Sequence, residues 1–164
     1  MSKPKLQILF VCTGNLCRSP VAEYLLRHAL GPRTPWQVSS AGLFAGQGTP
    51  ASPPAIEVLQ ERGINLRPHR SRQVTKEMVD AAALIVVMTS EHLAELKRRF
   101  PEAQDRIYLL KSFCSGGGDD RDVRDPLGGT AIVYRAICDD IEAALPGLIL
   151  YLKSYSDERD APKD

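Results

Sequence analysis

Two reactive side chains near the start of the sequence have the spacing of a nucleophile beside an anion clamp. Cys12 and Arg18 are separated by five residues, and Ser19 follows the arginine directly. A cysteine thiolate is nucleophilic, and a planar guanidinium can bind two oxygens of one phosphate group. Gly14 and Asn15 lie between them, and both residue types tolerate the left-handed backbone of a tight loop. The stretch could therefore bind a phosphate group and attack it, with the Ser19 hydroxyl donating a hydrogen bond to the thiolate.

The segments on either side of this stretch predict the elements that hold it. Residues 6–11 form a short apolar run, which indicates a buried strand. Pro20 suits the first turn of a helix, and apolar residues then recur at helical spacing as far as Leu30. A loop that joins a strand to a helix N-terminus turns backbone N–H groups inward, into the field of the helix dipole. We call residues 12–19 the phosphate loop. Beside Cys12 and Arg18, its predicted phosphate-binding residues are Thr13, Gly14, Asn15, Leu16, Cys17 and Ser19.

The composition bounds the class of protein. With 164 residues and a formal net charge of +1, the chain is predicted to be one domain. It lacks the overall field expected of a protein that binds nucleic acid or an anionic membrane. Its longest apolar run, residues 81–88, is too short to span a bilayer, and no charged-then-apolar leader opens the chain, so we expect a cytoplasmic protein. The four cysteines and three histidines lack metal-ligand spacing, so neither a metal nor another cofactor is expected.

Strand and helix signals alternate along the rest of the chain. The predicted elements are strands at 36–40, 84–88 and 106–110 and helices at 53–63, 75–82, 90–100 and 130–152. Pro146-Gly147 predicts a kink or a break in the last helix. The alternation predicts an α/β domain over residues 1–153, with a parallel sheet between two layers of helices. Residues 154–164 are polar and charged, and we expect them to form a disordered tail.

The phosphate loop resembles that of the low-molecular-weight protein tyrosine phosphatases, in which Cys-x5-Arg-Ser follows the first strand close to the N-terminus. Two further segments resemble the family's, Ser-Ala-Gly at 40–42 and His-x-x-Arg-Gln at 69–73. The motifs lie in the family's order across residues 6–152. The resemblance implies a flavodoxin-like sheet of four parallel strands in the order 2-1-3-4. It also implies a phosphatase that carries phosphate on its cysteine, uses no cofactor and acts on a phosphorylated protein, and we expect a monomer.

The reaction also needs a proton donor for the leaving oxygen, because a tyrosyl oxyanion is the base of an acid with a pKa of about 10. The loop at 112–129 is rich in glycine and aspartate, and spacing alone does not choose among its four candidates, Asp119, Asp120, Asp122 and Asp125. Pro126 restricts the backbone of the residue before it. The resemblance implies that Asp125 is the general acid. The other three are predicted to be solvated loop charges.

The resemblance also implies groups that support the phosphate loop. Ser40 and His69 correspond to a serine and a histidine that, in the family, hydrogen-bond to the loop asparagine. Here that asparagine is Asn15, and Ser19 would belong to the same network. Two histidines without such a match are predicted to be solvated helix residues, His28 and His92.

Cys17 has two possible roles. In the family, a second cysteine of the loop can form a reversible disulfide with the nucleophile, and the resemblance implies a Cys12–Cys17 pair. The alternative is that Cys17 is a small packing residue. Cys114 and Cys138 are predicted to be inert.

Substrate choice rests mainly on one side chain of the phosphate loop. Some bacterial members of the family dephosphorylate arginine; they resemble this chain in Asp-Pro-x-Gly-Gly, residues 125–129, but carry threonine in place of Leu16. Leucine has no hydroxyl for a guanidinium and is predicted to narrow the pocket toward a flat aromatic ring. Against this, Leu127 stands where many tyrosine-specific members place an aromatic residue that stacks on the substrate ring. Phe44 either supplies that aromatic wall of the pocket instead or is an ordinary core aromatic. We favour phosphotyrosine, with phosphoarginine as the alternative.

Two more distant alternatives have weaker support. Arsenate reductases share the loop but resolve their intermediate with a cysteine pair after strand three, and residues 75–111 contain no cysteine. A non-catalytic phosphate-binding module is expected to lack the nucleophile or the acid, whereas this chain has candidates for both.

Overall fold

Four parallel strands form a single sheet in the order β2-β1-β3-β4, as predicted. The computed structural model describes residues 3–116 and 120–163. The strands are β1 (Leu6–Cys12), β2 (Trp36–Gly42), β3 (Leu84–Val87) and β4 (Ile107–Leu109). Strand β1 is central, since Ile8 pairs with Val38 of β2 on one side and with Leu84 of β3 on the other. The carboxyl ends of all four strands therefore meet at one edge of the sheet, where ligands bind in doubly wound folds.

Helices connect the strands and cover both faces of the sheet. They are α1 (Arg18–Leu30), α2 (Pro53–Glu61), α3 (Lys76–Ala81), α4 (Ser90–Arg99) and α5 (Ala131–Asp160), with 3₁₀ turns at Pro101–Arg106 and Leu110–Phe113. Threonine hydroxyls cap two of these helices: that of Thr75 accepts from the N–H of Met78 at the start of α3, and that of Thr89 accepts from the N–H of His92 at the start of α4. Among the described residues, no helix is long and apolar enough to cross a membrane.

Alternating side chains of β1 divide the interior into two cores. Ile8 and Phe10 point into the larger core, which is shared with α1, α2 and α5. Leu9 and Val11 point into the smaller one, which is shared with α3, α4 and the turn at 101–106. All four side chains are buried, as expected for a parallel sheet covered on both faces. The α/β three-layer prediction is therefore confirmed.

Helix α5 differs from its prediction in two respects. Pro146-Gly147 was predicted to kink or break the helix; a break is absent, and the helix runs without interruption from Ala131 to Asp160. Leu145 and Leu148, on either side of the pair, are both buried in the larger core, and this packing holds the turn together where proline removes a backbone hydrogen bond. Gly147 lets the helix approach the turn at 110–113, since a Cβ there would overlap the carbonyl oxygen of Phe113.

The prediction of a disordered tail from residue 154 is wrong for residues 154–160, which form the last turns of α5. Trp36 of β2 explains the order. Its indole N–H donates to the carbonyl of Leu152 at 3.1 Å, and the ring of Tyr155 lies edge-on against it at 5.5 Å. The hydroxyl of Ser156 is turned back onto the helix backbone, so this polar residue is buried without cost. The segment has too few apolar residues to predict this contact from its own pattern.

Candidate active site

The phosphate loop is held from outside through its carbonyl groups. Four of them accept a hydrogen bond from the surrounding chain: Cys12 from Leu43 N at 2.9 Å, Thr13 from Phe44 N at 2.9 Å, Asn15 from His69 Nε2 at 2.8 Å and Leu16 from Ser52 N at 3.0 Å. Within the described chain, no protein acceptor pairs with the N–H groups of residues 13–17. Outward carbonyls leave the N–H groups facing the enclosed space, at the N-terminus of α1. The loop is therefore a cradle for an anion.

Two residues give the loop its tight path. Asn15 is fully buried and has φ 59°, the one non-glycine residue of the described chain with a positive φ. Asparagine tolerates this conformation better than most residues. Gly42, at the end of β2, lies directly behind the loop, where a Cβ would come within 2.6 Å of the Thr13 carbonyl oxygen and 3.0 Å of the Asn15 nitrogen. The Ser-Ala-Gly segment thus leaves room for the loop as well as supplying a polar group to it.

Hydrogen-bond directions fix the Ser19 hydroxyl toward the sulfur of Cys12. The Cys12 side chain is nearly buried, with 3% exposure, and its Sγ lies 2.9 Å from Ser19 Oγ. The Asn15 amide donates to the same Oγ at 2.8 Å. Because that oxygen already accepts from the amide, its own proton is available to the sulfur. In this arrangement the Ser19 hydroxyl can donate a hydrogen bond to the Cys12 sulfur.

A buried carboxylate orients the same network from behind. The hydroxyl of Ser40 donates to Glu23 at 2.6 Å and accepts from the Asn15 amide at 3.0 Å. Burial raises the pKa of Glu23, and the hydrogen bond from Ser40 and the charge of Arg27, 2.6 Å away, act against that rise. Sequence reasoning placed Ser40 here but missed Glu23. One sequence feature could have indicated a buried Glu23: it lies four residues before Arg27 on a predicted helix, so the two form an i,i+4 ion pair on an otherwise apolar face.

His69 lies where the resemblance placed it. Its Nε2 donates to the Asn15 carbonyl, and the backbone N–H of Arg72 donates to the Asn15 side-chain oxygen at 3.0 Å. Burial lowers the pKa of His69, and the nearby guanidinium groups of Arg27, Arg70 and Arg72 lower it further. The imidazole is therefore neutral at neutral pH, with its proton on Nε2. Every polar atom of the Asn15 side chain and its carbonyl thus has a partner.

The predicted clamp and general acid meet above the cradle. The Arg18 guanidinium is buried; its Nη1 donates to the Val123 carbonyl at 3.1 Å and its Nη2 lies 3.8 Å from Asp125 Oδ2. The Asp125 side chain is 53% exposed, and its other oxygen accepts from the N–H of Leu127 at 3.0 Å. A cleft of about 110 Å³ lies between them, lined by Cys12, Thr13, Gly14, Leu16, Cys17, Arg18, Asp125 and Leu127. Cys12, Arg18 and Asp125 are thus brought to one small opening.

The two candidate wall residues are placed differently. Leu127 is exposed and lines the cleft. Phe44 is also exposed, at 69%, so the alternative of a core aromatic is wrong. Its ring is not part of the cleft lining; it stacks under the guanidinium of Arg99, 4.5 Å from the ring centre, beside the phosphate loop. Phe44 could contact a peptide outside the cleft rather than the phosphorylated side chain itself.

His92 is the main correction to the predicted site. It was expected to be solvated, but it is 6% exposed, and its Nε2 lies 2.8 Å from the hydroxyl of Thr13. Its Nδ1 is buried and has no partner among the described residues. Burial lowers the pKa of His92 to about 4, and the charge of Arg18 contributes. A neutral His92 therefore holds the Thr13 side chain at the rim of the cradle. His28 is exposed, as predicted.

Protonation of His92 is expected to weaken the fold in mild acid. Its pKa in the folded protein lies below the ordinary 6.5, so this stability is complete above pH 6.5 and is lost as the pH falls toward 4. A shift of this size sets an upper limit of about 3 kcal/mol, and solvent screening reduces the expected loss to about 1–2 kcal/mol. In His92→Gln, which can still donate to Thr13, the loss should be smaller by that amount. Urea unfolding of both proteins at pH 7.5 and 4.5 measures it, and equal losses would contradict the assignment.

The other aspartates of the loop after β4 are not alike. Asp119 lies outside the described residues. Asp120 is exposed, as predicted. Asp122, predicted to be a solvated charge, instead accepts hydrogen bonds from both the N–H and the hydroxyl of Ser90, at 2.8 and 2.9 Å. This contact joins segments 32 residues apart, so no local pattern could indicate it.

Comparison with known proteins settles the family. The sequence matches the family described as low molecular weight phosphotyrosine protein phosphatase over residues 7–159. The chain belongs to this family. It is accordingly a cysteine-based protein phosphatase, a phosphoric monoester hydrolase, as the sequence predicted. Its partners are phosphorylated proteins.

Relatives within the family carry two different names. A protein-arginine-phosphatase of Geobacillus stearothermophilus is 47% identical over 87% of this chain and 93% of its own length. A probable low molecular weight protein-tyrosine-phosphatase, EpsP, of Ralstonia solanacearum is 40% identical over 73% of this chain and 77% of its own. Among solved structures, the YwlE arginine phosphatase from Geobacillus stearothermophilus superposes with a TM-score of 0.84 at 42% identity, covering 97% of this chain and 99% of that one. The flavodoxin-like fold is thus shared with this phosphatase along nearly the whole chain.

Proposed function

We propose that this phosphatase hydrolyses phosphotyrosine in proteins through a phosphate ester of Cys12. The observation that carries the proposal is the phosphate loop, whose carbonyls at Cys12, Thr13, Asn15 and Leu16 are bonded from outside and whose sulfur lies 2.9 Å from the Ser19 hydroxyl. Arg18 and Asp125 close the same cleft from above. These are the groups that phosphoryl transfer to sulfur requires, namely a thiolate, donors for three oxygens and a proton donor.

The first step forms the sulfur–phosphorus bond. The Cys12 thiolate attacks phosphorus in line with the tyrosyl oxygen, and the bond from phosphorus to that oxygen breaks. The loop N–H groups and the Arg18 guanidinium hold the remaining three oxygens and stabilise their charge. Asp125 gives its proton to the departing oxygen, so that tyrosine leaves as a neutral phenol.

The second step returns the enzyme. Asp125, now a carboxylate, takes a proton from a water molecule that attacks phosphorus from the side the tyrosine left. The sulfur–phosphorus bond breaks and phosphate departs. Cys12 leaves as a thiolate, and the Ser19 hydroxyl, oriented by Asn15, stabilises it. Every proton and electron pair in this cycle has a donor and an acceptor among the named groups and water.

The cleft supports phosphotyrosine as the substrate. The Leu16 side chain lines it without a hydroxyl, and Leu127 faces the same opening. Two apolar side chains suit the faces of a phenyl ring better than a charged guanidinium, which needs hydrogen-bond acceptors. Phosphoarginine is the second candidate. It is favoured by the name of the 47% identical relative and by the TM-score of 0.84 to an arginine phosphatase.

Comparison of kcat/KM on two peptides that differ in carrying phosphotyrosine or phosphoarginine tests the choice. We expect the wild type to favour phosphotyrosine, and Leu16→Thr to shift the ratio toward phosphoarginine by about 10-fold, because a hydroxyl can accept from a guanidinium. Leu16→Ile is the matched control and should keep the wild-type ratio. If the wild type instead prefers phosphoarginine, and Leu16→Thr does not change the ratio of the two kcat/KM values, then phosphoarginine replaces phosphotyrosine as the proposed substrate.

We also propose that Cys17 protects Cys12 by forming a disulfide with it under oxidation. Cys17 is buried; its Sγ contacts the hydroxyls of Ser52 and Tyr134 at 3.3 and 3.2 Å, and burial raises the pKa of its thiol. It is thus held as a thiol that does not compete with Cys12 at rest. After mild peroxide, mass spectrometry should find the Cys12–Cys17 disulfide, reversible by a thiol reductant. Irreversible sulfonic acid at Cys12 with Cys17 free would contradict this role.

Compartment and assembly belong to the same proposal. A thiolate nucleophile needs a reducing compartment, which supports the cytoplasm. Monomeric behaviour is the expectation for solution, and size-exclusion chromatography with light scattering measures it.

A further inference from the structure

The segment that carries Asp125 is fixed to the rest of the molecule through very few contacts. Among the described residues, the Asp125 carboxylate makes only the local bond to the Leu127 N–H and the 3.8 Å approach to Arg18. Two residues earlier, Val123 is fully buried; its N–H donates to the Met88 carbonyl at 2.8 Å and its carbonyl accepts from Arg18. The position of the general acid therefore depends on how residues 122 and 123 are held.

Asp122 supplies the remaining anchor. Its Oδ1 accepts from both the backbone N–H and the side-chain hydroxyl of Ser90, the first residue of α4. The first N–H groups of a helix have no partner within the helix, and the helix dipole favours a negative charge there. The contact is thus a charge-assisted, two-donor bond between the acid-bearing segment and the helix that follows β3.

The same end of α4 also reaches the phosphate loop. His92, two residues after Ser90, contacts the Thr13 hydroxyl. The first turn of α4 therefore touches the cradle through His92 and the acid-bearing segment through Ser90. This turn therefore contacts both the phosphate loop and the segment that carries Asp125. Asp122 is the residue through which that segment binds to it.

We propose that Asp122 is a positioning residue that holds the general acid Asp125 over the cleft through Ser90. The inference rests on the proposed function, in which Asp125 protonates the leaving group. An acid displaced by about 1 Å loses much of its effect, up to about 100-fold in rate. The effect of losing Asp122 should therefore fall on substrates that need an acid and spare those that do not.

The test compares two substrates in three variants. Asp122→Ala should lower kcat/KM, which reports transfer of phosphate to Cys12 and not the later hydrolysis. The fall should be roughly 10-fold or more on a phosphotyrosine peptide and less than about 3-fold on para-nitrophenyl phosphate, whose leaving group needs little protonation. Asp122→Asn keeps the accepting oxygen and should restore most of the lost rate. Asp157→Ala, an exposed carboxylate of α5, is the matched control and should match the wild type on both substrates.

A double variant separates positioning from general stability. If Asp122 acts through Asp125, then adding Asp122→Ala to Asp125→Ala should cause no further loss on the peptide. An equal loss on both substrates, an additive loss in the double variant, or wild-type rates in Asp122→Ala with a folded protein would each overturn the inference. The proposed function is judged separately by the single variant Asp125→Ala. If that variant shows no dependence on the leaving group, the acid is misassigned and the inference is overturned with it.

Discussion

Replacing Cys12 with serine is expected to abolish turnover, by about 10⁴-fold or more, while phosphate still binds. Serine is far less ionised than cysteine, and the structure gives its hydroxyl no base; the nearest polar group, the Ser19 hydroxyl 2.9 Å away, is oriented as a donor. Phosphate binding depends on the loop N–H groups and Arg18, which the substitution leaves in place. Steady-state kinetics on a phosphotyrosine peptide and calorimetric titration with inorganic phosphate measure the two properties.

Cys114→Ser is the matched control for this experiment. Cys114 lies outside the cleft and is half-buried, so its substitution should leave the activity within about 2-fold of the wild type. Turnover surviving in Cys12→Ser at more than a few per cent of the wild-type rate would show that the nucleophile lies elsewhere. Loss of phosphate binding together with turnover would point instead to a collapsed loop.

The second large effect is expected for Asp125→Ala. The phenol of tyrosine is a poor leaving group without protonation. The kcat/KM on a phosphotyrosine peptide, which covers the steps up to release of tyrosine, should therefore fall by about 10²–10³-fold. On para-nitrophenyl phosphate the fall should stay within about 10-fold, because that oxygen leaves without an acid. Arg18 keeps its bond to the Val123 carbonyl in the variant, so the affinity for inorganic phosphate should change little.

A plot of log kcat/KM against leaving-group acidity over a series of aryl phosphates measures the role of Asp125 as an acid directly. The slope should be shallow in the wild type and steep in Asp125→Ala. Parallel slopes, or equal losses on all substrates, would mean that Asp125 holds the structure rather than the proton.

The phosphate loop could be predicted from the sequence because its chemistry is local. Cys12 and Arg18 belong to one continuous stretch between a strand and a helix, and the residue types that permit its backbone lie between them. Asn15 indeed takes the left-handed conformation that its type suggested. The alternation of strands and helices predicted a parallel sheet, and the resemblance implied its strand order.

The features that sequence reasoning missed depend on contacts between distant segments. His92 is buried beside the hydroxyl of Thr13, 79 residues earlier. Asp122 accepts hydrogen bonds from Ser90 because the loop after β4 passes the N-terminus of α4, where Ser90 begins the helix. Trp36 orders the end of α5 from the other end of the chain. Each of these side chains has an ordinary polar or mixed neighbourhood in sequence, so its contact with a distant segment could not be foreseen.

Glu23 shows a different limit. The pattern of α1 predicts which face is apolar, and a glutamate on that face would normally be assigned to solvent. Its burial is stabilised by Ser40 from β2 and by Arg27 one turn along the helix. The spacing in the sequence indicates the pair with Arg27. It does not indicate the contact with the Ser40 hydroxyl, through which the Glu23 carboxylate orients Asn15.

The covalent intermediate provides the most direct test of the central claim. Asp125→Ala mixed with para-nitrophenyl phosphate should form the cysteinyl phosphate readily but hydrolyse it slowly, since no carboxylate then activates the water. Rapid acid quenching followed by peptide mass spectrometry should find one phosphoryl group on the peptide that contains Cys12, at a level close to one per enzyme. A phosphoryl group on any other residue, or none while phenol is released in a burst, would contradict the account.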